Sequence, residues 1–178
     1  MRVIAGQLGG RRLHAARGRG VRPTTDRVRE SLFSILGDAV LDARILDLFA
    51  GTGALAIEAL SRGGRRAMCV ERDARALAVL KRNVDELGLE DRVEVVRSDA
   101  IEFARRVARE DTSYDVVFCD PPYRDSLTPL GEAVLGGSWW TRVTVIEHAS
   151  TIEPPPPPPG TRSDTRRYGD TAITFYWR

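Results

Sequence analysis

Asp120-Pro121-Pro122-Tyr123 follow directly on the apolar run Asp115–Cys119, and their types suit work on a conjugated amine. The run reads as a buried strand, so the tetrad stands at a strand's carboxyl end, where open α/β sheets bind ligands. The amino nitrogen of a nucleic-acid base is a poor nucleophile because its lone pair is shared with the ring. A carboxylate at 120 and the carbonyl of Pro121 form an acceptor pair that can hold both N–H groups. That favours a pyramidal nitrogen with its lone pair aimed at an activated methyl group. The carboxylate also stabilises the positive charge that develops on nitrogen during in-line transfer. Two successive prolines, Pro121 and Pro122, fix the backbone that carries these acceptors. Tyr123 offers a face on which a base taken out of its helix can stack. A Pro-Pro pair alone would be an ordinary strand-to-loop turn. The flanking Asp120 and Tyr123, downstream of a second site, make these four the candidate catalytic residues.

That second site is Asp47-Leu48-Phe49-Ala50-Gly51-Thr52-Gly53. A short apolar strand delivers a glycine-rich turn to a helix start. Gly51 and Gly53 let backbone approach a ligand, and a helix amino terminus favours a carboxylate or phosphate. Glu71 ends the next strand, where it can accept hydrogen bonds from ribose hydroxyls. Gly51-x-Gly53-x-x-Ala56 with Glu71 about 20 residues on also fits a nicotinamide-dinucleotide fingerprint. Asp47 weighs against that reading. An acidic group inside an apolar strand is costly unless paired. A ligand ammonium would pair it; S-adenosylmethionine has one and a dinucleotide does not. Asp99 and Ala100 end the third strand within reach of an adenine ring, and Asp99 can equally cap the helix that follows, or do both. The expected cofactor-binding residues are thus Asp47, Gly51, Gly53, Glu71, Asp99 and Ala100.

The elements that must position these groups alternate after residue 43. Strands are expected at 45–50, 67–70, 93–96, 115–119 and 143–146, and helices at 54–62, 73–87, 101–109 and 127–135. The charges of the third strand suit a sheet edge. This alternation argues for an α/β fold with a doubly wound, mostly parallel sheet. Two stretches depart from it. Residues 2–14 read as a hairpin turning near Gly9-Gly10, followed by a helix over 25–36 capped by Thr24 or Thr25. At the other end, strands flanking Gly169-Asp170 form a hairpin, which makes the last strand antiparallel. The six prolines 154–159 cannot enter a sheet interior and read as a polyproline II spacer or, less simply, a ligand for a proline-recognition module. The chain divides into a hairpin–helix extension, 1–36, and a catalytic domain, 37–178.

The net charge of +2 says little, but residues 1–30 hold eight arginines against Asp26 and Glu30. Such a block favours polyanions. Arg11, Arg12, Arg22 and Arg27 are the expected RNA contacts; a solvated arm that only covers core surface is the alternative. Cys69 and Cys119 lie in apolar runs without CxxC spacing and read as buried free thiols of a reducing compartment. His14 and His148 are too scattered for a metal site or a triad. There is no apolar leader or membrane-length run. These features suggest a cytoplasmic protein with no metal and no membrane partner.

With those residues in view, the chain resembles a known group. Asp47 to Gly53 with the Asp120–Tyr123 tetrad looks like the class I S-adenosylmethionine-dependent amino-methyltransferases. Arg22-Pro23-Thr24-Thr25-Asp26-Arg27-Val28-Arg29-Glu30-Ser31-Leu32-Phe33 narrows it, as do Gly9 to Leu13, Glu58 to Gly63, Glu147 and Tyr168 to Thr171. Together they resemble the RsmD-type 16S ribosomal RNA (guanine-N2) methyltransferases over essentially the whole chain. The resemblance implies a seven-stranded Rossmann-like sheet with its last strand antiparallel. It also implies S-adenosylmethionine as cofactor and a guanine of small-subunit ribosomal RNA as target, met in an assembly intermediate by a monomer. The proline tract is the departure from the pattern. Competing readings are a DNA amino-methyltransferase, a non-catalytic RNA-binding module and a nicotinamide oxidoreductase. Glu147 either faces the crevice or serves a buried structural role.

Overall fold

The computed structural model describes residues 1–15, 25–122 and 126–178. Seven strands form one sheet in the order β3-β2-β1-β4-β5-β7-β6. They are β1 (Arg44–Asp47), β2 (Arg66–Val70), β3 (Val93–Val96), β4 (Tyr114–Cys119), β5 (Trp140–Ala149), β6 (Arg162–Tyr168) and β7 (Thr171–Trp177). The first five pair in parallel, and β7 runs antiparallel to both β5 and β6. β3 lies at an edge, as its charges require.

Alternation along the strands divides the core in two. Ile45, Val116, Phe118, Val143 and Val145 face one side, where they meet α1 (Asp26–Leu36), α2 (Ala54–Ser61) and α3 (Ala74–Leu87). Leu46, Val117, Cys119 and Ile146 face the other, against α4 (Ala100–Val107) and α5 (Thr128–Leu135). Several helices start where their sequence provides a cap. Thr25 accepts from the Val28 amide at 3.3 Å. Asp73 accepts from Arg75 and Ala76. A turn of 3-10 helix, Gly37–Val40, links α1 to β1.

Three details differ from the sequence expectation. β5 spans ten residues rather than four, because β7 continues to pair with it through Glu147, His148 and Ala149, beyond the last β4 pair at Ile146, and keeps its polar carboxyl end in the sheet. The proline tract does not stand off as a spacer. The Tyr176 hydroxyl donates to the Pro155 carbonyl at 2.6 Å, and the Pro155 ring lies so close over Gly131 of α5 that a Cβ there would approach it to 2.8 Å. The amino-terminal hairpin makes only one bridge of its own, Arg2 to Arg12, among the described residues. Beyond its own backbone bonds, such as Val3 to Arg11 and Leu13 to Met1, it is held by the domain: Ile4 and Ala5 donate their amides to Glu58 of α2, and the His14 amide donates to Asn83 of α3. Cys69 and Cys119 are buried and free. No helix among the described residues is long and apolar enough to cross a membrane.

Candidate active site at the carboxyl ends of the strands

β1 carries Asp47 to the end of the sheet and hands the chain to the glycine turn. Gly51 adopts φ +53°, and a Cβ there would meet only the Phe49 carbonyl, at 4.0 Å. The backbone at Gly51 therefore borders open space, as a ligand cradle must. Gly53 is a glycine for another reason. At φ +86° it caps α2, and a Cβ would lie 2.9 Å from the Leu80 side chain. This left-handed φ and the nearby α3 side chain favour glycine here, in addition to the ligand approach expected from the sequence.

Glu71, at the end of β2, spans the turn. One carboxylate oxygen accepts from the Gly51 amide at 2.8 Å and the other from the Asp73 amide at 2.7 Å. These bonds fix the carboxylate and leave lone pairs on both oxygens for further donors. Asp99 does cap α4, accepting from Ile101 and Glu102 through Oδ1, while Oδ2 lies 3.8 Å from Arg72. Ala100 is buried in the second core, so only its backbone is left for an adenine.

Asp47 is 1% exposed. Burial pushes its carboxyl up to about 7, against the opposing pull of the Ala56 and Phe49 amides and with the Glu71 charge adding to the rise. Its Oδ1 has no hydrogen-bond partner. A buried, orphaned carboxylate oxygen beside an open glycine turn fits a ligand carrying an ammonium group.

At the end of β4, Asp120 is half-buried, Pro121 buried and Pro122 exposed; Tyr123 lies outside the described residues. The Asp120 carboxyl is held well above the usual carboxylate range, by desolvation first and then by the charges of Glu147 and Asp47. Alternation from Ile45, Phe118 and Val145 places Asp47, Asp120 and Glu147 on one side of the sheet, at the ends of three adjacent strands. Glu147 is 4% exposed. A concavity of about 370 Å³ lies at the opposite, amino end of the strands, lined by Arg44, Arg66 and Tyr114 among others. It touches none of these groups. No group of three or more His, Cys, Asp and Glu that could hold a metal occurs among the described residues.

Of the arginines expected to meet RNA, Arg11, Arg12 and Arg27 are exposed, and Arg22 lies outside the described residues. Arg11 also donates to the Glu86 carbonyl at 2.9 Å, so it helps dock the hairpin. The sequence reading missed Glu58. It is fully buried on α2, accepts from two hairpin amides and from Arg62, and has the buried Arg29 at 4.0 Å. The cost argument applied to Asp47 would have found it, since Glu58 is the one acidic residue in an apolar helix.

Over residues 1–177 the chain matches the family described as conserved hypothetical protein 95. The chain belongs to that family. The ribosomal RNA small subunit methyltransferase D of Escherichia coli K12 is 43% identical over 140 residues, 79% of this chain and 69% of that protein. Its counterpart in Haemophilus influenzae is 33% identical over 152 residues, 85% of this chain and 78% of that protein. Among solved structures, the Escherichia coli protein yhhF superposes with a TM-score of 0.86 at 35% identity, covering 100% of this chain and 97% of that one. A protein from Thermus thermophilus does so at 0.84 and 30%, covering 98% of each. The fold of this member of the conserved hypothetical protein 95 family is therefore the Rossmann-like methyltransferase fold, as its strand order indicates.

Proposed function

We infer that this chain is an S-adenosylmethionine-dependent methyltransferase acting on the exocyclic N2 amine of a guanine in small-subunit ribosomal RNA. The observation that carries the reading is the Asp120-Pro121 acceptor pair at the end of β4, one strand from the Asp47–Gly53 turn. The names borne by its relatives support the substrate class. The cofactor supplies a methyl group on a positively charged sulfur. Asp47 holds its ammonium, the Gly51 backbone and Glu71 its amino-acid and ribose portions, and the 99–100 backbone its adenine.

On the base, Asp120 and the Pro121 carbonyl accept the two N2 protons and pyramidalise the nitrogen. Asp120 then stabilises the charge that builds there. The methylated ammonium is acidic enough to lose its proton to water, so no general base is needed. Tyr123 supplies the stacking face. The hairpin and α1, residues 1–36, hold the RNA beside the mouth through Arg12 and Arg27. The substrate is an assembly intermediate of the small subunit, and the enzyme works as a monomer without metal. Mass spectrometry of ribosomal RNA from cells lacking the protein tests this directly. One monomethylguanine should disappear from the small-subunit RNA, restored by the wild-type chain and not by Asp120→Ala. An unchanged small-subunit RNA with a lost methylated base in DNA would favour the DNA reading.

A further inference from the structure

We propose that Glu147 reads the edge of the target base next to the amine, accepting the N1–H of guanine, and so selects guanine over the other amino-bearing bases. This rests on the methyltransferase reading above.

The geometry begins with the register. Phe118 pairs with Val145 and Cys119 with Ile146, so one step further along the parallel strands Asp120 comes beside Glu147. Neighbouring strands lie about 4.8 Å apart. Both side chains project to the α1–α2 side, two residues beyond Phe118 and Val145, which pack there. Glu147 is 4% exposed and has a partner within the fold. The Glu147 charge also helps to keep the Asp120 carboxyl above its ordinary range.

Two adjacent, poorly solvated carboxylates oppose one another. One acceptor beside Pro121 suffices for an amine; a second carboxylate, even one with a partner in the fold, keeps lone pairs for a further donor that the substrate brings. The bases differ at this point. In adenine the amine is flanked by N1 and in cytosine by N3, each a bare lone pair on that side. A carboxylate set there would face lone pair against charge. In guanine the N2 amine sits beside N1–H, so three N–H donors run along one edge. Asp120, the Pro121 carbonyl and Glu147 provide three acceptors for them. A site built to pair a donor rejects an analogue that lacks it, because its own polar group is left unpaired.

The test uses the full-length protein and reconstituted small-subunit RNA carrying either guanine or 2-aminopurine at the methylated position. 2-Aminopurine keeps the N2 amine but presents a lone pair at N1. The wild-type enzyme should methylate it at least about 10²-fold more slowly in kcat/KM. Glu147→Gln, whose amide can turn an N–H toward that lone pair, should lose rate on guanine and bring the two substrates within about tenfold of each other. Equal rates on both bases in the wild type, or an unaltered ratio in Glu147→Gln, would overturn the assignment, since a merely structural glutamate slows both substrates alike. If the variant does not fold, as judged by its thermal transition, the wild-type ratio alone decides. Absence of methylation on guanine itself would instead sink the functional reading.

Discussion

A carboxyl group that titrates near neutrality in the folded chain ties Asp47 to both stability and binding. Its folded value of about 7 lies above the ordinary 3.8, so between those pH values the native state holds a proton that the unfolded chain has released. The stability this group contributes is therefore full below about 4, falls as pH rises through 7, and stays low above it. The difference corresponds to about 4 kcal/mol as an upper figure. Asp47→Asn should remove the slope: without cofactor the variant melts higher than wild type at pH 8 and closer to it at pH 5. It should also bind S-adenosylmethionine more weakly. Thermal unfolding at both pH values, with and without cofactor, checks this, and an equal gap at the two pH values counts against it. Asp120 behaves differently because its acceptor role needs the ionised form. Burial and Glu147 raise its carboxyl, so kcat/KM for RNA should climb with pH along an acidic limb. Single-turnover rates in Asp120→Ala should drop about 10²–10³-fold with cofactor affinity nearly unchanged; near-normal rates would discard the mechanism.

Helices and strands that bury one clear face were legible from the sequence, because apolar spacing and caps act locally. The edge position of β3 and the antiparallel hairpin of β6 and β7 were legible for the same reason. So were Asp47, Glu71 and Asp120, which stand where strands stop. What escaped depends on partners distant in sequence. The carboxyl half of β5 looks too polar for a central strand, yet His148 is satisfied by Thr174 at 2.9 Å, itself bonded to Thr165. Glu58 looked like one letter of a motif until the hairpin amides were seen on it. At this scale the hairpin's attachment can be tested. Glu58→Gln removes one of the two carboxylates beside the buried Arg29, leaving Asp26 at 3.0 Å, and weakens both hairpin contacts, so it should cost about 1–3 kcal/mol. A denaturant midpoint unchanged from wild type would show that the hairpin is held by its other contacts, the His14–Asn83 bond among them. Gly51→Ala and Gly53→Ala should both lower the melting temperature, because each residue sits at a positive φ that alanine rarely adopts.

For the whole molecule, RNA affinity and cofactor affinity should separate. The exposed arginines of the hairpin and α1 lie outside the glycine turn, so Arg12→Ala/Arg27→Ala should weaken RNA binding and make its salt dependence shallower by up to about two units. Cofactor binding and the melting temperature should stay as in wild type. Arg11 is a poorer probe because it also docks the hairpin on α3. An unaltered salt slope would return the segment to a purely structural role. The strand order has one more consequence, for how the protein is made. β7 follows β6 along the chain yet is not an edge; it is inserted between β5 and β6 and is the direct partner of both. Until β7 is in place, β5 exposes a row of unpaired amides and carbonyls and β6 has nothing to join. The sheet is therefore completed only once β7 has joined it, and a chain that lacks β7 is an open-edged species destined for aggregation or proteolysis. Only a chain that carries β7 joins β6 to the strands that hold the site.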